Sequence, residues 1–422
     1  MSDDGAPISA ADKSFPSTTW GWRAEEFADA HPNLADFPTP LVTLDASRID
    51  HNIRVMADWC AVAGFLLAPH GKTTMSPVLW RRQLDAGAWG ITLATAWQVQ
   101  IARDHGIQRV LLANALVDPV ALRWIAEELD AHPEFEFACW ADSVATVELM
   151  DAVLAVVGGR CSIDVIVELG APAGRTGARS VAEAREVADA VRASDRLRLA
   201  GCGGYEGAVA HDRGVDGLAR VAAYLDSLVH LHDQLAAVGA YEVPIPIVTV
   251  GGSAYLDQVA NRLAPVVGGA TVLVRAGAYV IHDDGFYRDI SPLDHDRFAG
   301  GLRSAMHGWA RVVSRPEPEL AILDGGKRDF PVDEGFPSPQ LVLGLPTEES
   351  DALLVGASIS AVNDQHSFLR LAPGTSAAAL PVGAVIRLGL SHPCTALDKW
   401  RALPVIESLD SGVVSGFVRT LF

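Results

Sequence analysis

Two short stretches carry residue types that do chemistry. In GFLLAPHGKTT, Gly64 to Thr74, an apolar run ends at Pro69 and delivers His70 and Lys72 into a turn of glycine and threonine. In LSHPCTALDKW, His392 and Cys394 stand two apart, so that on an extended strand both side chains would face one way. A lysine amine can form a Schiff base with a carbonyl, and an imidazole beside a thiolate suits a zinc ion. Each stretch also has a plain reading, a solvated loop lysine and a loop with a structural cysteine, and the residues around them decide between the two.

Lys72 needs something to hold it. Eight short apolar runs recur between Gly64 and Gly277: GFLLAPH, GITLAT, RVLLAN, EFEFACW, DVIVEL, LRLAGCGGYEG, IPIVTVGG and TVLVRAG. Helix-like stretches such as SVAEAREVADAVRA separate them, a pattern that predicts a parallel sheet covered on both faces. Eight units in a row fit a closed (β/α)8 TIM barrel, whose chemistry gathers at the C-terminal ends of the strands. Polar groups fall at those ends: His70 and Lys72, then Arg175 in GAPAGRTG, Tyr205 with Glu206, Gly251, Gly252 and Ser253, and Gly277 with Tyr279 in RAGAY. After Ser291 the runs become short and punctuated by Gly and Pro, the texture of a mostly-β domain. The expected division is an N-terminal segment at 1–36 packing on the β domain, a barrel at 37–290, and a β domain at 291–422 carrying His392 and Cys394. TPLVTLD, ahead of the first barrel unit, reads as a crossover between the two.

Gly251, Gly252 and Ser253 follow a strand, where glycine lets backbone N–H groups approach an anion and serine adds a hydroxyl. No G-x-x-x-x-G-K-[ST] loop accompanies them, which argues against a nucleoside triphosphate. A strand-end lysine with a nest for one phosphate points to pyridoxal phosphate (PLP), whose ring is an electron sink for carbanions.

Composition excludes several classes. A net charge of −19 and a charged fraction of 20% disfavour nucleic acid and anionic membranes, which are bound by clustered Lys and Arg. Five scattered cysteines without a C-x-x-C pair read as reduced thiols. The acidic opening MSDDGAPISAADK lacks the form of a signal peptide, so a cytoplasmic protein is expected.

PHGKTT, GRTG, GGS, LDGGKRDFPVDEGFP and SHPC, in this order from about Thr39 to Val405, together resemble the D-serine dehydratase and D-threonine aldolase family. The resemblance implies the alanine racemase-like fold (fold type III), PLP linked to Lys72, Arg175 near the cofactor and Gly251, Gly252, Ser253, Gly277 and Tyr279 at its phosphate; His70 and Tyr205, at strand ends of the same mouth, are expected to contact the cofactor as well. It implies a metal on His392 and Cys394 that assists catalysis together with Lys72: Zn2+, with Mn2+ or Mg2+ more suited to aldolase-type members, which carry Asp at the cysteine position. It further implies a small D-amino acid substrate and a homodimer. Dehydration to a 2-oxo acid and ammonia, retro-aldol cleavage to glycine and an aldehyde, and PLP binding without turnover all stay open, with Cys394 favouring the dehydratase. Two departures from the family pattern stand out: NDQHSF, with Asp364 and His366, where relatives have E-E-H, and Arg275 where many have an acidic residue.

Overall fold

The computed structural model describes residues 6–374 and 379–422. Strand β1 (Leu41–Asp45) comes first, followed by the barrel strands β2 (Leu66–Leu67), β3 (Ile91–Leu93), β4 (Arg109–Ala115), β5 (Glu136–Ala141), β6 (Ile163–Leu169), β7 (Leu197–Gly204), β8 (Ile247–Val250) and β9 (Thr271–Val274). β2 to β9 form one parallel sheet in the order β2-β9-β8-β7-β6-β5-β4-β3. A parallel bridge between His70 and Thr92 joins its two ends and closes the barrel beside Lys72. These eight strands are the eight apolar runs.

Side chains alternate along each strand because successive residues of a pleated chain face opposite ways. Ala68, Leu111, Ala138, Trp140, Ile166 and Leu273 fill the lumen, while Val110, Leu112, Cys139, Val165 and Val167 face the helices. The helix Val181–Arg192 shows why the intervening segments lie on the sheet: Ala184, Val187, Ala188 and Val191 make one buried stripe, and Ser180 caps the first turn by accepting from Glu183 N–H. Ser143 and Thr95 cap their helices in the same way.

The second sheet contains β10 (Met306–Glu317), β11 (Leu320–Leu323), β12 (Ser338–Val342), β13 (Ser358–Val362), β14 (Ser367–Arg370), β15 (Val385–Gly389), β16 (Ala402–Ile406) and β17 (Val414–Arg419). Its main path runs β13-β14-β11-β10-β1-β16-β17, with β15 pairing both β10 and β12. β1 falls inside the range expected for the barrel, yet it lies between β10 and β16, with Leu41 opposite Trp309. Its five residues are all buried, so periodicity could not tell which sheet it serves. Residues ahead of β1 pack on this sheet through Phe15, Phe27, Phe37 and Phe417. Lys13 adds an ion pair to Asp329 at 3.1 Å and sits 3.8 Å over the Trp400 ring. No helix of the described residues is long and apolar enough to cross a membrane.

Candidate active site

Lys72 lies on a single 3-10 turn, Gly71–Thr73, immediately past the bridge that closes the barrel. Its amine is half-buried, and its pKa falls below the ordinary 10.5 because burial penalises the charge and the Arg175 and Arg275 guanidiniums repel it, with Cys394 pulling the other way. His70 is held neutral by burial and by the same three cations, and its Nδ1 is buried without a hydrogen-bond partner. The hydroxyls of Thr74 and Ser76, two and four residues beyond Lys72, are likewise buried and unpartnered. Such orphans are uncommon in a finished core, and three of them around one depressed lysine mark a place built to receive a polar group.

Arg275 directly follows β9 and is 5% exposed, donating to Thr249 Oγ1 and to the Gly204 carbonyl, each at 2.6 Å. It rests 4.9 Å over Trp140, the plug of the barrel lumen. Burial lowers its pKa to about 10, against the attraction of Glu206 and other acidic groups. Arg175, on the exposed loop after β6, faces the Tyr205 ring at 5.7 Å. Gly277 is required where it stands, since a Cβ there would meet His70 Cβ and carbonyl oxygen at 2.7 Å and Thr73 Oγ1 at 2.8 Å.

The glycine pair is already taken. Gly251 N–H and Gly252 N–H donate to the two oxygens of the fully buried Glu206 carboxylate at 2.9 and 2.6 Å, so these amides do not form an open phosphate nest. The Tyr205 ring packs on Gly251 so closely that a Cβ there would overlap it. Sequence reading missed this because Glu206 sits beside Tyr205 with no spacing that ties it to residue 251. Tyr279 also departs from expectation: its oxygen accepts from Gln83 at 2.9 Å in a separate cavity lined with Cys60 and Phe65, which shares no residue with the one lined by Arg175 and Tyr205. Ser253 is buried at the same turn as Gly252.

His392 and Cys394 meet, though not on a strand. His392 adopts a left-handed conformation (φ 47°, ψ 84°), Pro393 opens a short helix, Pro393–Leu397, and Cys394 is in its first turn. The Cys394 thiol and the Asp333 carboxylate raise the imidazole pKa to about 9. Asp333 holds His392 Nδ1 at 2.5 Å and accepts from Thr395 Oγ1 at 2.7 Å, leaving Nε2 for another partner. Thr73 Oγ1 lies 3.3 Å from Cys394 Sγ, and thus ties this pair to the residue next to Lys72. An imidazole oriented by a carboxylate beside a thiol is a donor set that fits a metal ion, with the remaining positions open to water or substrate. By contrast, Asp364 and His366 sit on an exposed turn, with Asp364 paired to Arg328 at 3.3 Å. Asp324 ties Thr39 to Arg311 as a structural link.

Residues 305–406 match the family model described as "Putative serine dehydratase domain". The D-threonine aldolase of Arthrobacter sp is 26% identical over 361 residues, covering 85% of this chain and 86% of that one. The D-threo-3-hydroxyaspartate dehydratase of Delftia sp. (strain HT23) is 25% identical over 377 residues, covering 86% and 92%. A D-threo-3-hydroxyaspartate dehydratase solved as a metal-free cysteine-to-alanine variant superposes with a TM-score of 0.73 at 22% identity, covering 92% of this chain and 99% of that one. The crystal structure of D-threonine aldolase from Filomicrobium marinum superposes with a TM-score of 0.77 at 25% identity, covering 92% of this chain and 97% of that one. With the barrel, the second sheet and the order of the motifs in agreement, this chain has the alanine racemase-like fold and is similar to D-threonine aldolases and D-threo-3-hydroxyaspartate dehydratases over most of its length.

Proposed function

We propose that this protein is a PLP- and zinc-dependent lyase that dehydrates and deaminates a small D-β-hydroxy amino acid such as D-serine or D-threonine, giving a 2-oxo acid and ammonia. The observation that carries the reading is the meeting of a depressed lysine and an imidazole–thiol pair at one barrel mouth, with Thr73 Oγ1 3.3 Å from Cys394 Sγ. When bound, PLP supplies an electron sink for the α-carbon and Zn2+ supplies a Lewis acid for the β-hydroxyl.

Lys72 would hold PLP covalently, with His70, Thr74 and Ser76, whose buried polar atoms lack hydrogen-bond partners, and the buried Ser253 as polar contacts. Once displaced, its Nζ removes the α-proton, and the depressed pKa keeps a larger share of that amine neutral near pH 7. Arg175 and Arg275 sustain the depression by repulsion. His392 and Cys394 would hold the metal, and Asp333 fixes the imidazole with Nδ1 toward itself.

Cleavage to glycine and an aldehyde is the second reading, favoured by the similarity to the two D-threonine aldolases. Cys394 supports dehydration instead, because a D-threo-3-hydroxyaspartate dehydratase solved in a metal-free form is a cysteine-to-alanine variant. Incubation of PLP- and Zn2+-loaded protein with D-serine and D-threonine, assaying 2-oxo acid, ammonia, glycine and aldehyde together, separates the two. Oxo acid with ammonia is the expected outcome, and glycine with aldehyde would replace it by the aldolase. The family resemblance also supports a homodimer, checked by light scattering of the eluted peak, and the scattered cysteines support a cytoplasmic protein.

A further inference from the structure

The αL residue His392 leaves a question: what keeps it in that conformation, on a loop that must face Lys72 from another domain? Its backbone N–H donates to Asp283 Oδ2 at 2.9 Å. Asp283 follows the last barrel strand and is 1% exposed. Its other oxygen, Oδ1, accepts from Gly285 N–H at 3.1 Å, Tyr287 N–H at 2.8 Å and Arg288 N–H at 3.3 Å. One carboxylate therefore binds the segment leaving the barrel with one oxygen and the His392 backbone with the other. Ser391 repeats the tie, accepting from Phe286 N–H at 3.2 Å and donating to the Glu334 carbonyl at 2.8 Å.

We propose that Asp283 is a positioning residue for the metal pair: it sets the His392 backbone against the barrel, while Asp333 sets the His392 ring. The proposal rests on the reading of His392 and Cys394 as metal ligands. Asp333 alone leaves the backbone free to relax from the left-handed conformation, which would turn the imidazole away from Cys394 and from the mouth. A buried carboxylate with four amide donors, distributed between two domains, supplies the constraint at a distance from the metal itself.

Asp283→Asn is the selective test. Its carboxamide oxygen can keep the three bonds at Oδ1, but its NH2 then faces the His392 N–H, donor against donor, so only the link between the domains is broken. Zn2+ affinity is measured by competition with a chromogenic chelator, and PLP affinity by absorbance, on full-length wild type, Asp283→Asn, the milder Ser391→Ala, and His392→Ala. The expected result is at least a tenfold loss of Zn2+ affinity in Asp283→Asn and a smaller loss in Ser391→Ala, with the PLP dissociation constant within twofold of wild type. Unchanged Zn2+ affinity in Asp283→Asn, with loss in His392→Ala, would overturn the proposal and spare the metal site. Parallel loss of Zn2+ and PLP would make Asp283 a general structural residue and would also overturn it. Unchanged affinity in His392→Ala would remove the metal reading and the proposal with it. Should Asp283→Asn fail to fold, Ser391→Ala decides, and wild-type Zn2+ affinity there counts against the proposal.

Discussion

Replacing Glu206 by alanine should be among the more damaging single changes at this barrel mouth. The carboxylate is fully buried and satisfies two backbone donors, Gly251 N–H at 2.9 Å and Gly252 N–H at 2.6 Å. A buried donor stripped of its acceptor costs about 1–3 kcal/mol. The two amides are neighbours, so their costs do not simply add. The buried Arg275 guanidinium also loses the foremost of the acidic groups whose charge favours its own, although no direct ion pair is broken and its bonds to Thr249 and the Gly204 carbonyl remain. Glu206→Ala should therefore lower the unfolding free energy by about 2–4 kcal/mol. Glu206→Gln should lose less, because its amide oxygen still serves one N–H while its NH2 opposes the other. The assay is urea unfolding followed by circular dichroism and tryptophan fluorescence in phosphate-free buffer. A loss below about 1 kcal/mol for the alanine variant would refute the claim that this carboxylate completes the glycine turn. The vacated amides make a second readout: inorganic phosphate should stabilise Glu206→Ala more than wild type.

Lys72→Ala should retain the fold but lose both the absorbance of covalently held PLP and turnover, and retention of that absorbance would overturn the lysine assignment. Gly277→Ala should weaken PLP binding at least tenfold by absorbance titration, since the new methyl must displace the His70 backbone as well as Thr73. For Arg175→Met, the acid limb of kcat/KM should move to higher pH, because one of the cations that lowers Lys72 is gone, and an unmoved limb would count against Lys72 as the titrating base. The 1% exposed His307 is kept neutral by burial and by Arg387 and Arg48, well below the ordinary 6.5. The unfolded chain takes up that proton and the folded one does not, so stability is present above pH 6.5 and falls on acidification below it, with a slope approaching about 1.4 kcal/mol per pH unit for one proton. His307→Gln should remove that share of the slope in urea unfolding compared at pH 7.5 and 5.5.

The barrel was legible because each of its strands is a continuous apolar run and each intervening helix carries a 3.6-residue stripe, two signals that sequence displays directly. β1 was not assigned to its sheet, because a fully buried strand looks the same in either layer. His392 and Cys394 do lie together, but through a left-handed residue and a proline-opened turn rather than the extended strand that their spacing suggested. Gly251 and Gly252 were read by their ability to bind an anion, which is right, but the anion is Glu206 of the same chain. Tyr279 was read by its place after a glycine, and its hydroxyl turned out to be committed to Gln83. Asp283 carried no signal, and Asp333 stood unremarked within LDGGKRDFPVDEGFP, since an acidic residue far along the chain acquires its meaning only from the contact it makes.

The pairing of β1 with β10 has a kinetic consequence. Leu41 lies opposite Trp309, and the whole barrel is strung between them. A contact so remote along the chain is costly in entropy until the intervening segment has become compact. The barrel must therefore collapse before its two ends can be zipped side by side, and β16, which pairs with β1, completes its place only afterwards. His392 and Cys394 lie just ahead of β16, so the capacity to bind metal should be the last property to return on refolding, trailing recovery of the barrel's helical signal.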